Sequence, residues 1–128
     1  HRDLHSFPTR RSSDLNRKFS EAPYSPPSIK ECQALVGEEV YSALVQLGKI
    51  IPVSSEVVFR SEEINEMGEI VRSHFRDHET LTVIELRDRL NTSRRYVLAF
   101  LEYLDASGIT IRNGDFRVLR PVKNQSIR

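Results

Sequence analysis

A helical stripe of apolar residues, Val97, Phe100, Leu101 and Leu104, ends near Gly108 and gives way at once to two short alternating strands. The i, i+3, i+4, i+7 spacing requires a helix that buries one face, and the alternation that follows requires extended chain. Thr92 stands ahead as a cap, which predicts a helix over Ser93–Ala106. Ile109 and Ile111 on one strand, and Phe116 and Val118 on the next, are the expected inward residues. Asn113 and Gly114 supply the left-handed conformations of a tight hairpin turn. Upstream, Thr82-Val83-Ile84-Glu85 is a capping box that opens another helix, to Leu90.

Two helices followed by a hairpin describe a winged helix, and the preceding residues extend that reading. Ser61 caps a helix from Glu62 to about Phe75, with Ile64, Met67, Val71 and Phe75 as its buried stripe. Before it, the order repeats. Pro23, Pro26 and Pro27 exclude helix until Ser28, which opens a short one to Val36, and Gly37 stops it. Glu38–Leu47 is a second helix, with Val40, Leu44 and Leu47 inward and Gly48 terminating it. Ile50–Val53 and Val57–Phe59 are strands around Ser54 and Ser55. The expected fold is mostly α with small β-hairpins (α+β), as tandem winged-helix modules: a truncated module at 16–60, a complete one at 61–121 and a C-terminal tail at 122–128.

The first fifteen residues, HRDLHSFPTRRSSDL, show neither helical nor strand periodicity. Nothing there repays the entropy of ordering, so residues 1–15 read as a disordered tail. The string resembles translated sequencing-adapter read-through, a kind of scar that is set apart from fold reasoning. On that reading the natural chain begins near Asn16 as the remnant of something longer, and the first module lacks its opening helix. A basic RNA-binding arm built on Arg2, Arg10 and Arg11 is the alternative.

With 128 residues, 38% hydrophobic and 29% charged, the composition is that of folded domains rather than a disordered chain. The net charge is only +1, so any nucleic-acid surface must be a local patch. Cys32 alone forms no internal disulfide and suits a reducing cytoplasm. No apolar run is long enough to span a membrane. His74 and His78 have a zinc-compatible i, i+4 spacing without a nearby third ligand, so they read as a solvated helix end, and no metal site is expected. Cys32 falls on an apolar helix face and reads as buried and inert. No phosphate-binding glycine loop or nucleophile–base ordering occurs, so no catalytic residues and no enzyme activity are expected of this chain.

The residues that can carry chemistry cluster in the second module. In a helix-turn-helix unit the second helix presents its first turn to nucleic acid. Here that turn is Ser93, Arg94, Arg95 and Tyr96, at the positive end of the helix dipole. Guanidiniums make paired hydrogen bonds to phosphates or base edges. Arg112 and Arg117 on the hairpin form a second prong, and Asn113, Gly114 and Asp115 form the wing tip. The competing reading of each is plain: the arginines can solvate a helix start, Tyr96 can be core, and Asp115 can merely complete the turn. Arginines on both elements favour the binding role.

The second module resembles the last winged helix of the bacterial selenocysteine-specific translation elongation factor. The residues that carry the likeness are Leu86-Arg87-Asp88, Thr92-Ser93-Arg94-Arg95-Tyr96, Leu101-Glu102-Tyr103-Leu104-Asp105, Gly108-Ile109-Thr110 and Arg112-Asn113-Gly114-Asp115-Phe116-Arg117-Val118-Leu119. Arg95 stands where the family usually has lysine, and Ala99-Phe100 replaces a commoner Pro-Leu. Pro26-Pro27-Ser28 resembles the preceding winged helix. The resemblance implies an RNA-binding C-terminal fragment of a GTPase that carries selenocysteinyl-tRNA to the ribosome. Such a fragment binds the mRNA selenocysteine insertion hairpin so that UGA is decoded as selenocysteine. It implies a cytoplasmic monomer with no membrane partner. GTP and magnesium belong to the N-terminal part of the full-length factor, so no cofactor is expected here.

A DNA-binding transcription regulator has the same fold and is the alternative. Such a protein places polar base readers further along the exposed helix face and dimerises on two half-sites. After Arg95 that face is poor in arginine, asparagine and glutamine. A protein-binding winged helix is a third possibility, in which the arginines are incidental.

Overall fold

The computed structural model describes residues 10–120, with side chains described from Ser13 onward. The expected tail at 122–128, and residues 1–9 of the N-terminal one, lie outside the described residues. The chain divides into two compact units at Gly68–Glu69. The division falls inside a helix rather than at Arg60.

Unit 1 holds α1 (Arg10–Glu21), α2 (Ile29–Val36), α3 (Glu38–Gln46), a hairpin of β1 (Ile50–Pro52) and β2 (Val58–Arg60), and the start of α4 (Ser61–Asp77). Ser28 accepts from the Glu31 backbone N–H, while the Glu31 carboxylate accepts from the Ser28 N–H, so α2 starts on a full capping box. Gly37, at φ +91°, turns the chain between α2 and α3 in a region that favours glycine. The core gathers Leu15 and Phe19 from α1, Cys32 and Val36 from α2, Tyr41 and Leu44 from α3, and Ile50 and Val58 from the hairpin.

Two expectations for this unit are corrected. Residues 10–15 belong to a helix, and Leu15 is fully buried, so unit 1 has the opening helix that the sequence reading assigned to a tail. Leu15 and Phe19 are spaced i, i+4 and together form the apolar stripe that neither forms alone. Leu47 is 63% exposed, because α3 ends at Gln46 and Tyr41 fills the core position instead. Burial pushes the Cys32 thiol up to about 12, with the Glu31 charge adding to the shift.

A buried ion pair ties α1 to the end of the hairpin. Arg60 Nε donates to Glu63 Oε1 at 2.7 Å, and its Nη1 donates to Asn16 Oδ1 at 2.8 Å and Ser20 Oγ at 3.0 Å. The carboxylate and two neutral acceptors satisfy the guanidinium, as a buried charge requires.

Unit 2 contains the rest of α4, then β3 (Leu81–Thr82), α5 (Val83–Leu90), α6 (Arg94–Ala106), β4 (Thr110–Asn113) and β5 (Phe116–Leu119). The strands form one antiparallel sheet in the order β3-β5-β4. Thr82 and Glu85 form the expected capping box on α5. Asn91 ends that helix in the left-handed region at φ 54°, a conformation asparagine tolerates better than most residues. Val97, Phe100, Leu101 and Leu104 are buried, as their spacing requires. His74 is not a solvated end: it is buried, and its Nε2 donates to the Thr80 carbonyl at 2.7 Å, fastening α4 to the start of β3. The His78 ring stacks on it at 4.3 Å. Among the described residues no group of three potential metal ligands forms, and no helix is long and apolar enough to cross a membrane.

Candidate nucleic-acid interface

The α6 start is built from Ser93, Arg94, Arg95 and Tyr96. Ser93, rather than Thr92, is the N-cap, at φ −98° and ψ 159°, and its side chain accepts no hydrogen bond from the helix. Arg94 and Arg95 are exposed and Tyr96 is half-buried. The first turn contains no acidic residue to compete with an incoming anion. The Arg95 guanidinium lies 5.4 Å from the centre of the Tyr96 ring, within cation–π range.

The wing turns one residue later than expected. Asn113 is the last residue of β4 and pairs with Phe116, so the loop is Gly114-Asp115. Gly114 takes φ +68°, and no non-glycine residue of the wing has a positive φ. Positive φ at the first loop position alone is the pattern of a type II′ hairpin, where glycine is preferred. Arg112 is exposed, and its Nε donates across the turn to the Gly114 carbonyl at 3.2 Å. Asn113, Gly114 and Asp115 are exposed at the tip.

Arg117 is the correction. It was expected as a basic prong, yet it is 2% exposed. Its Nη2 and Nε donate to Asp105 Oδ2 at 3.0 and 3.3 Å. The other oxygen of that carboxylate accepts from Thr110 Oγ1 at 2.6 Å. The wing face towards α6 is therefore polar and satisfied, with Thr110 1% exposed. Ile109 and Ile111, expected inward, are 37% and 40% exposed, and Phe116 and Val118 are half-buried. A buried charge with a good partner has overridden the apolar alternation.

The two prongs border one open cleft of about 310 Å³. Arg94 and Leu98 of α6 line one side, Arg112, Gly114 and Asp115 of the wing another, and Thr82, Val83 and Ile84 a third. Arg117 also lines the cleft, with its guanidinium already committed to Asp105. Sequence reasoning missed Ile84 and Leu98. Ile84 reads in sequence with the apolar Leu86 and Leu90 of α5 but is 55% exposed. Leu98 lies off the apolar stripe of α6, and that off-phase position is the signal that marks it. The cleft thus offers apolar surface, two guanidiniums and a carboxylate, a lining suited to the face, the phosphates and the edge of one nucleotide.

Comparison with known proteins agrees with the winged-helix fold. Residues 73–119 match the family described as "Elongation factor SelB, winged helix". The selenocysteine-specific elongation factor of Desulfomicrobium baculatum is 31% identical over 83% of this chain and 18% of its own length. That of Escherichia coli K12 is 29% identical over 59% of this chain and 12% of its own. The chain thus spans less than a fifth of these relatives. The mRNA-binding domain of elongation factor SelB from E. coli, solved in complex with SECIS RNA, superposes with a TM-score of 0.66 at 22% identity, covering 86% of this chain and 99% of that one. Bacterial selenocysteine-specific elongation factor EF-Sec superposes with a TM-score of 0.69 at 17% identity, covering 84% of this chain and 18% of that one. Over residues 73–119 the chain is a winged helix of the elongation factor SelB kind.

Proposed function

We propose that unit 2 binds a hairpin loop of mRNA through the cleft between the α6 start and the wing, and so tethers a selenocysteine-specific elongation factor beside the UGA codon it decodes. The observation that carries this reading is that Arg94 and Arg112, from two separate elements, line the same cleft. An unstacked loop base fits such a lining, and sequence-specific RNA recognition favours loops for that reason. The relatives' names and the E. coli domain solved with SECIS RNA support the same assignment. Tethering raises the local concentration of a factor at one codon without new contacts elsewhere. The site of action is then the cytoplasm, with the ribosome and selenocysteinyl-tRNA engaged by the rest of the factor. No step in this role calls for catalysis or a cofactor within this chain.

The exposed face of α6 argues against duplex DNA. Past Arg95 it presents the half-buried Leu98 and the exposed Glu102, an apolar residue and an anion, where a helix lying in a major groove needs donors and cations. Fluorescence anisotropy with a small RNA hairpin library, a fully paired RNA and a DNA duplex tests the proposal. At least one hairpin should bind at least about tenfold more tightly than either duplex. Equal affinity for all three would reduce the interaction to charge attraction, and preference for DNA would favour the regulator.

A further inference from the structure

Helix α6 and the wing are joined at Ser107-Gly108-Ile109, and the wing is also held along β5 by β3, whose Leu81 and Thr82 pair with Arg117 and Phe116. Arg94 lies at the end of α6 far from that joint, and Arg112 with Gly114 at the tip of the wing. Near the joint, the Asp105 carboxylate holds both strands of the wing. Its Oδ1 accepts from Thr110 of β4 at 2.6 Å, and its Oδ2 accepts from Arg117 of β5 at 3.0 Å. Asp105 lies roughly 16 Å along the helix from Arg94, at about 1.5 Å per residue. A small rotation at the joint therefore becomes a larger displacement between the two prongs.

We infer that Asp105, Thr110 and Arg117 form a positioning clasp that sets the spacing between the α6 start and the wing tip, so that Arg117 governs RNA affinity without touching RNA. The inference rests on the RNA-binding reading above. Three observations carry it. The guanidinium of Arg117 is buried against Asp105, whereas Arg112, directly opposite it in the hairpin, is exposed. One carboxylate grips two strands, which resists both sliding and hinging of the wing. Both exposed prongs line a single cleft, so binding depends on their separation.

The test separates positioning from contact. Arg117→Gln should weaken hairpin binding about tenfold, and Thr110→Val, which leaves no charge unpaired, about threefold. Neither should change the slope of log affinity against log salt, whereas loss of a phosphate-contacting arginine lowers it by about one. The coupling between Arg94→Ala and Arg112→Ala should also shrink in the Arg117→Gln background. Arg117→Lys, which can still reach Asp105 with one ammonium, should recover part of the loss. Circular dichroism confirms the folded state of each variant, and Thr110→Val carries the test where Arg117→Gln unfolds.

Residual dipolar couplings of β4 and β5 amides relative to those of α6, measured without RNA, read the clasp independently. They should report a reoriented or averaged wing in the folded variants. Unchanged couplings would overturn the clasp, as would a slope reduced by about one in Arg117→Gln. Absence of hairpin binding by the unaltered protein, with couplings that do respond, would instead remove the RNA-binding reading.

Discussion

Arg112 and Arg117 face each other across the β4–β5 hairpin, one exposed near the tip and the other buried against Asp105. Like charges opposed in a sheet destabilise it, and the Asp105 carboxylate removes that penalty. Asp105→Asn should therefore leave a buried guanidinium uncompensated, at a cost of about 3 kcal/mol, the lower end for a broken buried pair because Asp105 is partly exposed. Urea denaturation measures it. A loss below about 1 kcal/mol would mean that Arg117 finds another acceptor.

At Gly114 the constraint is backbone rather than space. A Cβ added there meets nothing within 4 Å, but φ is +68°. Gly114→Val should destabilise unit 2 by about 1–2 kcal/mol, while Gly114→Asn should cost less, since asparagine visits positive φ more readily. Equal stability of the two variants would place the turn elsewhere.

Those two positions show what the sequence discloses about this fold. Helix boundaries are written in local chemistry: the Thr82–Glu85 box, Ser28 at the head of α2 and the Val97–Leu104 stripe all lie where their spacing puts them. The prongs at Arg94 and Arg112 are legible for the same reason. The burial of Arg117 is not, because its partner Asp105 is twelve residues away on another element and alternation alone favours the isoleucines. Ile84 and Leu98 enter the cleft only once two helices and a hairpin are packed together. The α1 helix escaped because dividing the chain after Leu15 separated the two residues that form its stripe.

Leu15 therefore offers a direct test of that correction. Leu15→Ala should destabilise unit 1 by roughly 2–5 kcal/mol, the range for a leucine removed from a packed core. Thermal denaturation followed by circular dichroism measures the change. No loss would return residues 10–15 to the status of a tail.

Cys32 gives unit 1 a pH dependence of known sign. The thiol is raised from 9.0 to about 12 in the fold, so the unfolded chain loses its proton first. Stability held below pH 9 should fall as pH rises from there towards 12. Tyr24, raised from 10.0 to about 12 by burial and its hydrogen bond to Glu66, adds a fall in the upper part of that window. Cys32→Ala should flatten the lower part. Urea denaturation across this range measures the effect, and an unchanged profile in that variant would show that the thiol is not the source.

The most direct test of the account is the affinity for a bound hairpin, measured across a salt series, for the unaltered protein and for Arg94→Ala, Arg112→Ala and Arg72→Ala. Arg72 lies on α4, where it pairs with Glu69 at 2.7 Å, and serves as the control. Arg94→Ala and Arg112→Ala should each weaken binding, by roughly 1–3 kcal/mol for a paired base contact or with a salt slope reduced by about one for a phosphate contact, while Arg72→Ala should bind as the unaltered protein does. If both cleft variants keep their fold and bind the hairpin as tightly as the Arg72 variant, the α6 start and the wing do not form the RNA site.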